Sequence, residues 1–385
     1  MKLLVVHGGG PTAVLNSSLY GLLVEAKNQN IQEIYAAKNG FRAILNGDLK
    51  YMADYSDQEL EKMLITPGTV IGSSRDVVEE QDYEQAAKLL IEQGFTSVIF
   101  NGGNGTMDTC GRLAAASNNH LQVIGIPKTI DNDLAMIDHA PGFGSAAKFI
   151  ANCTKEVGED VKSLPIHVSI IETMGRNAGW IAAASALAKE QEDDAPHLIY
   201  LPEVPFDESQ FLKDVQEQIT KHKGIVIVVS EGLKNADNTP IVKPIIETGR
   251  AVYYGDVGTH LANLIIEKLG YKARSEKPGI ISRTSMSYLS NVDQQEAIAV
   301  GKYAIKALVA SETNKMVGIR RKQSDLYEVE YTLLPIHEVM LHENTLPEKY
   351  INQNGNGVTD EFINWCKPLI DGDLPSFFKL KEIEE

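Results

Sequence analysis

The chain has 385 residues, enough for two or more domains, and its 43% apolar and 23% charged residues are the mix of a water-soluble globular protein. A formal net charge of −16 argues against nucleic acid or an anionic membrane as the main partner, so any phosphate must be met by cations clustered locally. Cys110, Cys153 and Cys366 are far apart and form no metal or redox pair, which suits a reducing cytosol. The apolar run at Met1 to Val6 is too short for a signal peptide, and no stretch is long enough to span a bilayer, so a cytoplasmic location is expected.

Lys2 to Val6 reads as a buried strand running into His7-Gly8-Gly9-Gly10-Pro11-Thr12, with a helix from Asn16 to about Gln29. Strand, glycine loop and helix in succession let backbone N–H groups meet a phosphate; the plainer reading is a tight turn. The loop fits neither the Walker pattern nor a GxGxxG fingerprint. Ile34 to Ala37 is a second strand. The loop Thr66 to Arg75 is rich in Gly and Ser and ends in an arginine that either grips a phosphate or is merely solvated.

A helix over Tyr83 to Gln93 and a strand at Ser97 to Phe100 lead to a second glycine loop, Asn101-Gly102-Gly103-Asn104-Gly105-Thr106, opening a helix from Thr109. The strand Leu121 to Ile126 is ended by Pro127, which has no N–H to give. It delivers Lys128, Thr129, Asp131, Asn132 and Asp133. Of the two carboxylates, one can take a proton from an alcohol while the other holds a metal or a charge. The bland alternative is an Asx-rich turn capping a helix. Three polar loops at successive strand ends would meet at one edge of a doubly wound sheet.

Pro141-Gly142-Phe143-Gly144-Ser145 reads as a crossover into a second domain. Helices at 146–157, 180–188, 210–222 and 256–269 then alternate with strands at 167–171, 197–201 and 224–229, placing Arg176 and Glu231 at strand ends. Gly279 to Ser285 reads as a further strand end carrying Arg283, and 293–310 as an Ala-rich helix. Beyond Val317 the chain reads as irregular, with possible strand pairing at 328–334 and a surface extension from Pro347 to Glu385.

With these motifs in order, the chain resembles the phosphofructokinase family. The resemblance rests on Gly8-Gly9-Gly10-Pro11 with Asn16, Gly68-Thr69 to Arg75, Gly102-Gly103-Asn104-Gly105-Thr106, Pro127 to Asp133, Met174-Gly175-Arg176, Ser230-Glu231-Gly232, and Arg283 before Asp293. The tail around Asn354 to Leu374 is similar to the branch containing pyrophosphate-dependent enzymes. The resemblance implies two similar three-layer α/β/α Rossmann-like domains with the active site in the cleft between them. They are a donor domain at 1–142, to which 287–325 returns, a sugar-phosphate domain at 143–286, and a C-terminal extension at 326–385.

By the same resemblance, Asp131 is the base for the sugar 1-hydroxyl, and Asp133 assists the metal. Thr129, Arg176 and the Gly10 N–H contact the transferred phosphoryl group. Met174, Gly175, Glu231 and Arg283 hold the sugar phosphate, and Arg75, Gly103, Asn104, Gly105, Thr106 and Lys128 hold the donor. Arg274 matches a cross-subunit arginine, and His167 stands where another is common. Mg2+ is the implied cofactor, with Asn104 and Asp133 as its protein ligands. A homo-oligomer, dimer or tetramer, is implied, and no nucleic acid or membrane partner.

Three departures bear on the substrates. Asn104 replaces a usual aspartate and brings no charge. Gly105 matches ATP users, because a side chain there fills the α-phosphate space, whereas Lys128 is typical of pyrophosphate users. Weighing steric exclusion above a flexible lysine favours ATP, with pyrophosphate as the alternative. Ile280 stands where many members put a histidine or tyrosine on the sugar phosphate, so fructose 6-phosphate is expected but a related sugar phosphate is an alternative. A non-catalytic ligand-binding paralogue is the remaining alternative.

Overall fold

A computed structural model describes residues 1–164, 167–248, 251–324, 326–340 and 342–379; the end of the extension at 380–385 lies outside the described residues. The strands are β1 (Lys2–His7), β2 (Glu33–Ala37), β3 (Leu49–Tyr51), β4 (Ser97–Gly102), β5 (Gln122–Pro127), β6 (Val168–Thr173), β7 (Leu198–Tyr200), β8 (Ile225–Ser230), β9 (Pro244–Thr248), β10 (Ala251–Tyr254), β11 (Ala273–Glu276), β12 (Lys315–Arg321) and β13 (Val329–Pro335). The larger sheet has the order β13-β12-β5-β4-β1-β2-β3, and the smaller β11-β6-β8-β7. β9 and β10 form a separate hairpin.

The larger sheet is parallel at its centre, and both of its faces are covered. Successive residues of β1 therefore serve opposite cores, which is why the strand reads as an unbroken apolar run. Leu3 and Val5 pack with Leu19, Leu22 and Val300, from helices Leu15–Asn28 and Asn291–Val309. Leu4 and Val6 pack with Ala86, Leu90 and Leu113, from helices Glu80–Glu92 and Asn104–Ala116. Helices Leu15–Asn28 and Asn291–Val309 cross backbone to backbone. A Cβ on Gly21 would lie 2.1 Å from the Ile298 carbonyl oxygen, and one on Gly301 2.0 Å from that of Ser18. No other residue fits either position.

The smaller sheet is all parallel and is likewise sandwiched. Helices Phe143–Ser163, Trp180–Ala184 and Asp360–Cys366 lie on one side, and Glu208–Lys221 and Val257–Leu269 on the other. The fold is thus a pair of three-layer α/β/α domains. Beyond Val317 the strand pairing expected at 328–334 is present as Val329–Pro335, and the irregular reading before it is corrected by the strand Lys315–Arg321. Lys315–Arg321 pairs parallel to β5, and Val329–Pro335 pairs antiparallel to it as the sheet edge. Residues 329–335, assigned to the extension on sequence, therefore lie in the larger sheet. Ile281–Thr284 is a single helical turn and not a strand end; the strand is the preceding Ala273–Glu276.

The junction between the domains is built from buried polar groups. Asp293 accepts from the Gly142 N–H (2.8 Å), the Ser145 N–H (2.9 Å) and the Ser145 hydroxyl (2.5 Å). A carboxylate on a larger-domain helix thereby caps the N-terminus of Phe143–Ser163, the first helix of the smaller domain. Next to it, His139 lies between Asp138 (2.8 Å from Nδ1) and Glu296 (2.6 Å from Nε2). Burial alone would lower its pKa, but Glu296 and Asp138 outweigh that and hold it up at about 9. Arg321 and the Trp365 indole N–H both donate to Asp138 at 3.1 Å, tying the C-terminal segment to the junction.

Candidate active site

β5, β4 and β1 are adjacent and parallel, so the loops after them meet at one sheet edge. The Thr66–Arg75 loop is stitched onto the loop after β1. Gly9 N–H donates to the Ser74 carbonyl (2.8 Å), and the Ser73 hydroxyl donates to the Gly9 carbonyl (2.7 Å). Asn16 anchors the loop's other end, donating to the Thr66 carbonyl (2.8 Å) and accepting from the Val70 N–H (2.9 Å).

Three cations crowd the Gly8–Gly10 turn. Lys128 Nζ donates to the carbonyls of Gly8 (2.8 Å) and Gly10 (2.6 Å). A Cβ on Gly10 would lie 2.5 Å from Arg283 Nη1, so a side chain there would displace that guanidinium, and 3.5 Å from Arg75 Nη2, an ordinary contact. Burial, then Arg283 and Arg75, bring the Lys128 ammonium down to about 7. Lys128 is buried, Arg283 partly buried and Arg75 exposed, and three like charges this close in one crease are held at an electrostatic cost that a bound polyanion removes.

Asp131 faces this crease from the β5 loop. Its N–H donates to the Thr129 hydroxyl at 3.0 Å, which fixes the turn. Burial, then the charges of Asp133 and Glu231, raise its carboxyl to about 7, against the opposing pull of Arg176 and Lys128. A carboxyl poised near neutrality is suited to general-base work. Asn104 donates to the Asp133 carbonyl (3.0 Å) and to its Oδ2 (3.1 Å). Asp133 Oδ1 and Asn104 Oδ1 are buried with no hydrogen-bond partner among the described residues.

The smaller domain contributes the loops after β6 and β8. Glu231 N–H donates to the Thr173 carbonyl (2.9 Å), and the Ser230 hydroxyl to the Gly175 carbonyl (2.5 Å), so the two strand ends are locked together. Burial, then Glu172, raises the Glu231 carboxyl. Gly10, Arg75, Gly105, Lys128, Asp131 and Arg176 all line one cleft of about 310 Å³ between the domains, together with Gly103, Asn104, Thr106 and Thr129. Arg283, given to the sugar phosphate by the resemblance, has its guanidinium beside Arg75 over Gly10.

His167 and Arg274 do not reach this cleft. His167 immediately precedes β6, about 17 Å along that six-residue strand from its cleft end, and Arg274 lies on β11 opposite Ser169 near the same start of β6. His167 Nδ1 accepts from the Lys272 N–H (3.1 Å), and Arg274 lines a separate groove with Cys153 and Glu156. Among the lining residues to which the sequence assigned no role are His7, Asn177 and Glu343. His7 was visible as the last residue of β1. Its Nδ1 lies 2.8 Å from the Thr69 hydroxyl, and burial, then Lys128, lowers it to about 3, so it is neutral. Nothing in the sequence flagged Glu343, which lies far along the chain.

A cation-lined glycine turn and a carboxyl poised near neutrality, facing each other across an interdomain cleft, define a phosphotransferase that acts on an alcohol. Residues 2–308 match the family model described as Phosphofructokinase. The chain is 35% identical to a pyrophosphate–fructose 6-phosphate 1-phosphotransferase of Rhodospirillum rubrum, covering 99% of this chain and 97% of that one. It is also 35% identical to a sulfofructose kinase of Alkalicoccus urumqiensis, over 96% of both. The crystal structure of a pyrophosphate-dependent phosphofructokinase from Marinobacter aquaeolei superposes with a TM-score of 0.87 at 32% identity, covering 98% of this chain and 94% of that one. The chain belongs to the phosphofructokinase family.

Proposed function

We propose that the protein transfers a phosphoryl group from pyrophosphate to the 1-hydroxyl of fructose 6-phosphate. The observation that carries the donor is Lys128, whose ammonium sits between the Gly8 and Gly10 carbonyls with Arg75 and Arg283 beside it. That charge density suits a short polyanion held along its whole length, as a tethered nucleoside does not require. The relatives named for pyrophosphate agree with it.

In the reaction, Asp131 takes the proton of the sugar hydroxyl as that oxygen bonds to phosphorus. The bond to the leaving phosphate breaks, and the leaving phosphate keeps the electron pair. Arg176, Thr129 and the Gly10 N–H stabilise the moving group, while Lys128, Arg75, Arg283 and the Gly103–Thr106 loop retain the leaving phosphate. Met174, Gly175 and Glu231 hold the sugar, with His167 and Arg274 reaching a neighbouring subunit's site in a homo-oligomer. The bare buried oxygens of Asp133 and Asn104 fit Mg2+, which when bound screens the donor's charge.

A second reading, ATP as donor, is favoured by one feature. Residue 105 has no side chain, and the cleft continues to Thr109, Phe41 and Val78. Assaying the purified protein with fructose 6-phosphate and Mg2+ separates the two. The proposal expects pyrophosphate to support turnover at least roughly tenfold faster than ATP. Turnover with ATP alone would move the donor to the nucleotide, and turnover with neither would remove the acceptor.

A further inference from the structure

The segment Glu343–Leu346 lies beyond the stretch matched by the family model, yet it straps both domains together at the cleft. Glu343 bridges Leu134 as an antiparallel pair, and the Asn344 N–H donates to the Asp133 carbonyl (2.9 Å). On the other domain, Trp180 Nε1 donates to the Asn344 carbonyl (2.9 Å) and the Leu346 N–H donates to Glu203 (2.8 Å). This strap carries the Glu343 side chain to the cleft wall, beside Asn104, Asp133 and Asn177. Glu343 Oε1 accepts from Asn177 Nδ2 at 2.9 Å, and Oε2 has no partner among the described residues.

We infer that Glu343 is a ligand-side carboxylate for the divalent cation that accompanies the donor, completing a set begun by Asp133 Oδ1 and Asn104 Oδ1. The inference rests on the phosphoryl-transfer reading of the cleft. Its independent support is the pair of buried oxygens without partners among the described residues, one on each side of the Asn104–Asp133 hydrogen bond. Asp133 and Asn104 alone supply one negative charge. Mg2+ in phosphoryl-transfer sites takes one or two carboxylates, fills its remaining positions with water and donor phosphate, and needs no dense protein cage. That agrees with the lack, among the described residues, of any cluster of three or more histidine, cysteine or carboxylate ligands. The neighbouring Glu343 and Asp133 carboxylates also repel each other, a cost that a cation between them removes. The strap would then link cation binding to domain closure, because the same residue holds Asn177, one position after Arg176.

The test is Mn2+ binding to the full chain followed by the loss of the free-ion EPR signal, comparing wild type with Glu343→Gln. Glutamine keeps an acceptor for Asn177 but loses the charge, so a merely structural role predicts no change. The inference expects binding weakened about tenfold or more in Glu343→Gln, with an unshifted melting temperature. It also expects the Mg2+ concentration for half-maximal transfer to rise by a similar factor while KM for the sugar phosphate stays constant. Unchanged Mn2+ binding in Glu343→Gln overturns it, as does a wild type that binds no Mn2+. The transferase assay on wild type then shows separately whether the phosphoryl-transfer reading stands.

Discussion

Asp131→Asn is expected to lower kcat by roughly 10²- to 10⁴-fold, the range for loss of a general base. The substitution is nearly isosteric. The backbone N–H of residue 131 keeps its bond to the Thr129 hydroxyl, and the neighbouring Asn132 carboxamide still accepts from Ala140, so the loop holds its shape. An amide cannot take the hydroxyl proton. It also removes a buried carboxyl whose ionisation is already opposed by burial and by Asp133, so stability should not fall. Steady-state kinetics with a thermal melt distinguish the roles. A variant with a wild-type melt and a hundredfold or greater loss of kcat, at similar KM for the sugar, has lost its base. A variant retaining most of its turnover places the base elsewhere.

The second large effect is on the donor. Lys128→Met keeps the length and removes the ammonium. Truncating one partner of a desolvated, hydrogen-bonded charge pair costs about 2–5 kcal/mol, so KM for the donor should rise roughly 30- to 3,000-fold. Sugar-phosphate binding, read as a ligand-induced thermal shift, should change little. Part of the effect is structural, since the Gly8 and Gly10 carbonyls lose their shared donor. Lys128→Arg helps to separate the two contributions. It keeps the charge but not the compact geometry that fits between two carbonyls, so it should recover donor affinity only in part. An unaltered donor KM in Lys128→Met would remove the cationic crease as the donor site.

Much of the glycine- and cation-lined part of the cleft was legible in the sequence because its residues are local. Gly8–Gly10, Gly103–Thr106 and Lys128–Asp133 each follow a buried apolar strand, and parallel neighbours must bring such loops together. What was not legible depends on distant contacts. β12 reads as irregular because Gly318 and three basic residues interrupt its apolar pattern, and only pairing with β5 and β13 makes it a strand. Gly279-Ile280-Ile281 read as a strand end, although a short apolar run cannot distinguish a strand from a helical turn. Asn104 looked like a lost charge; in the structure its amide holds Asp133, a role an aspartate could not fill without protonation. Glu343 had no local signal at all, since its place in the cleft comes from a distant segment that pairs with Leu134 and Asp133.

The pH dependence of kcat/KM for the sugar phosphate, measured at saturating donor, tests the central claim most directly. The donor's negative charge keeps Lys128 protonated under those conditions, and of the raised carboxyls at the cleft, Asp133, Glu231 and Asp131, the Asp131→Asn substitution removes only that of Asp131. It must be ionised to act, so the rate should rise tenfold per pH unit below about 7 and level off above it, and the residual rate of Asp131→Asn should lack this limb. A flat wild-type profile between about pH 5.5 and 8.5, or a limb that survives in Asp131→Asn, would contradict the assignment of Asp131 as the base.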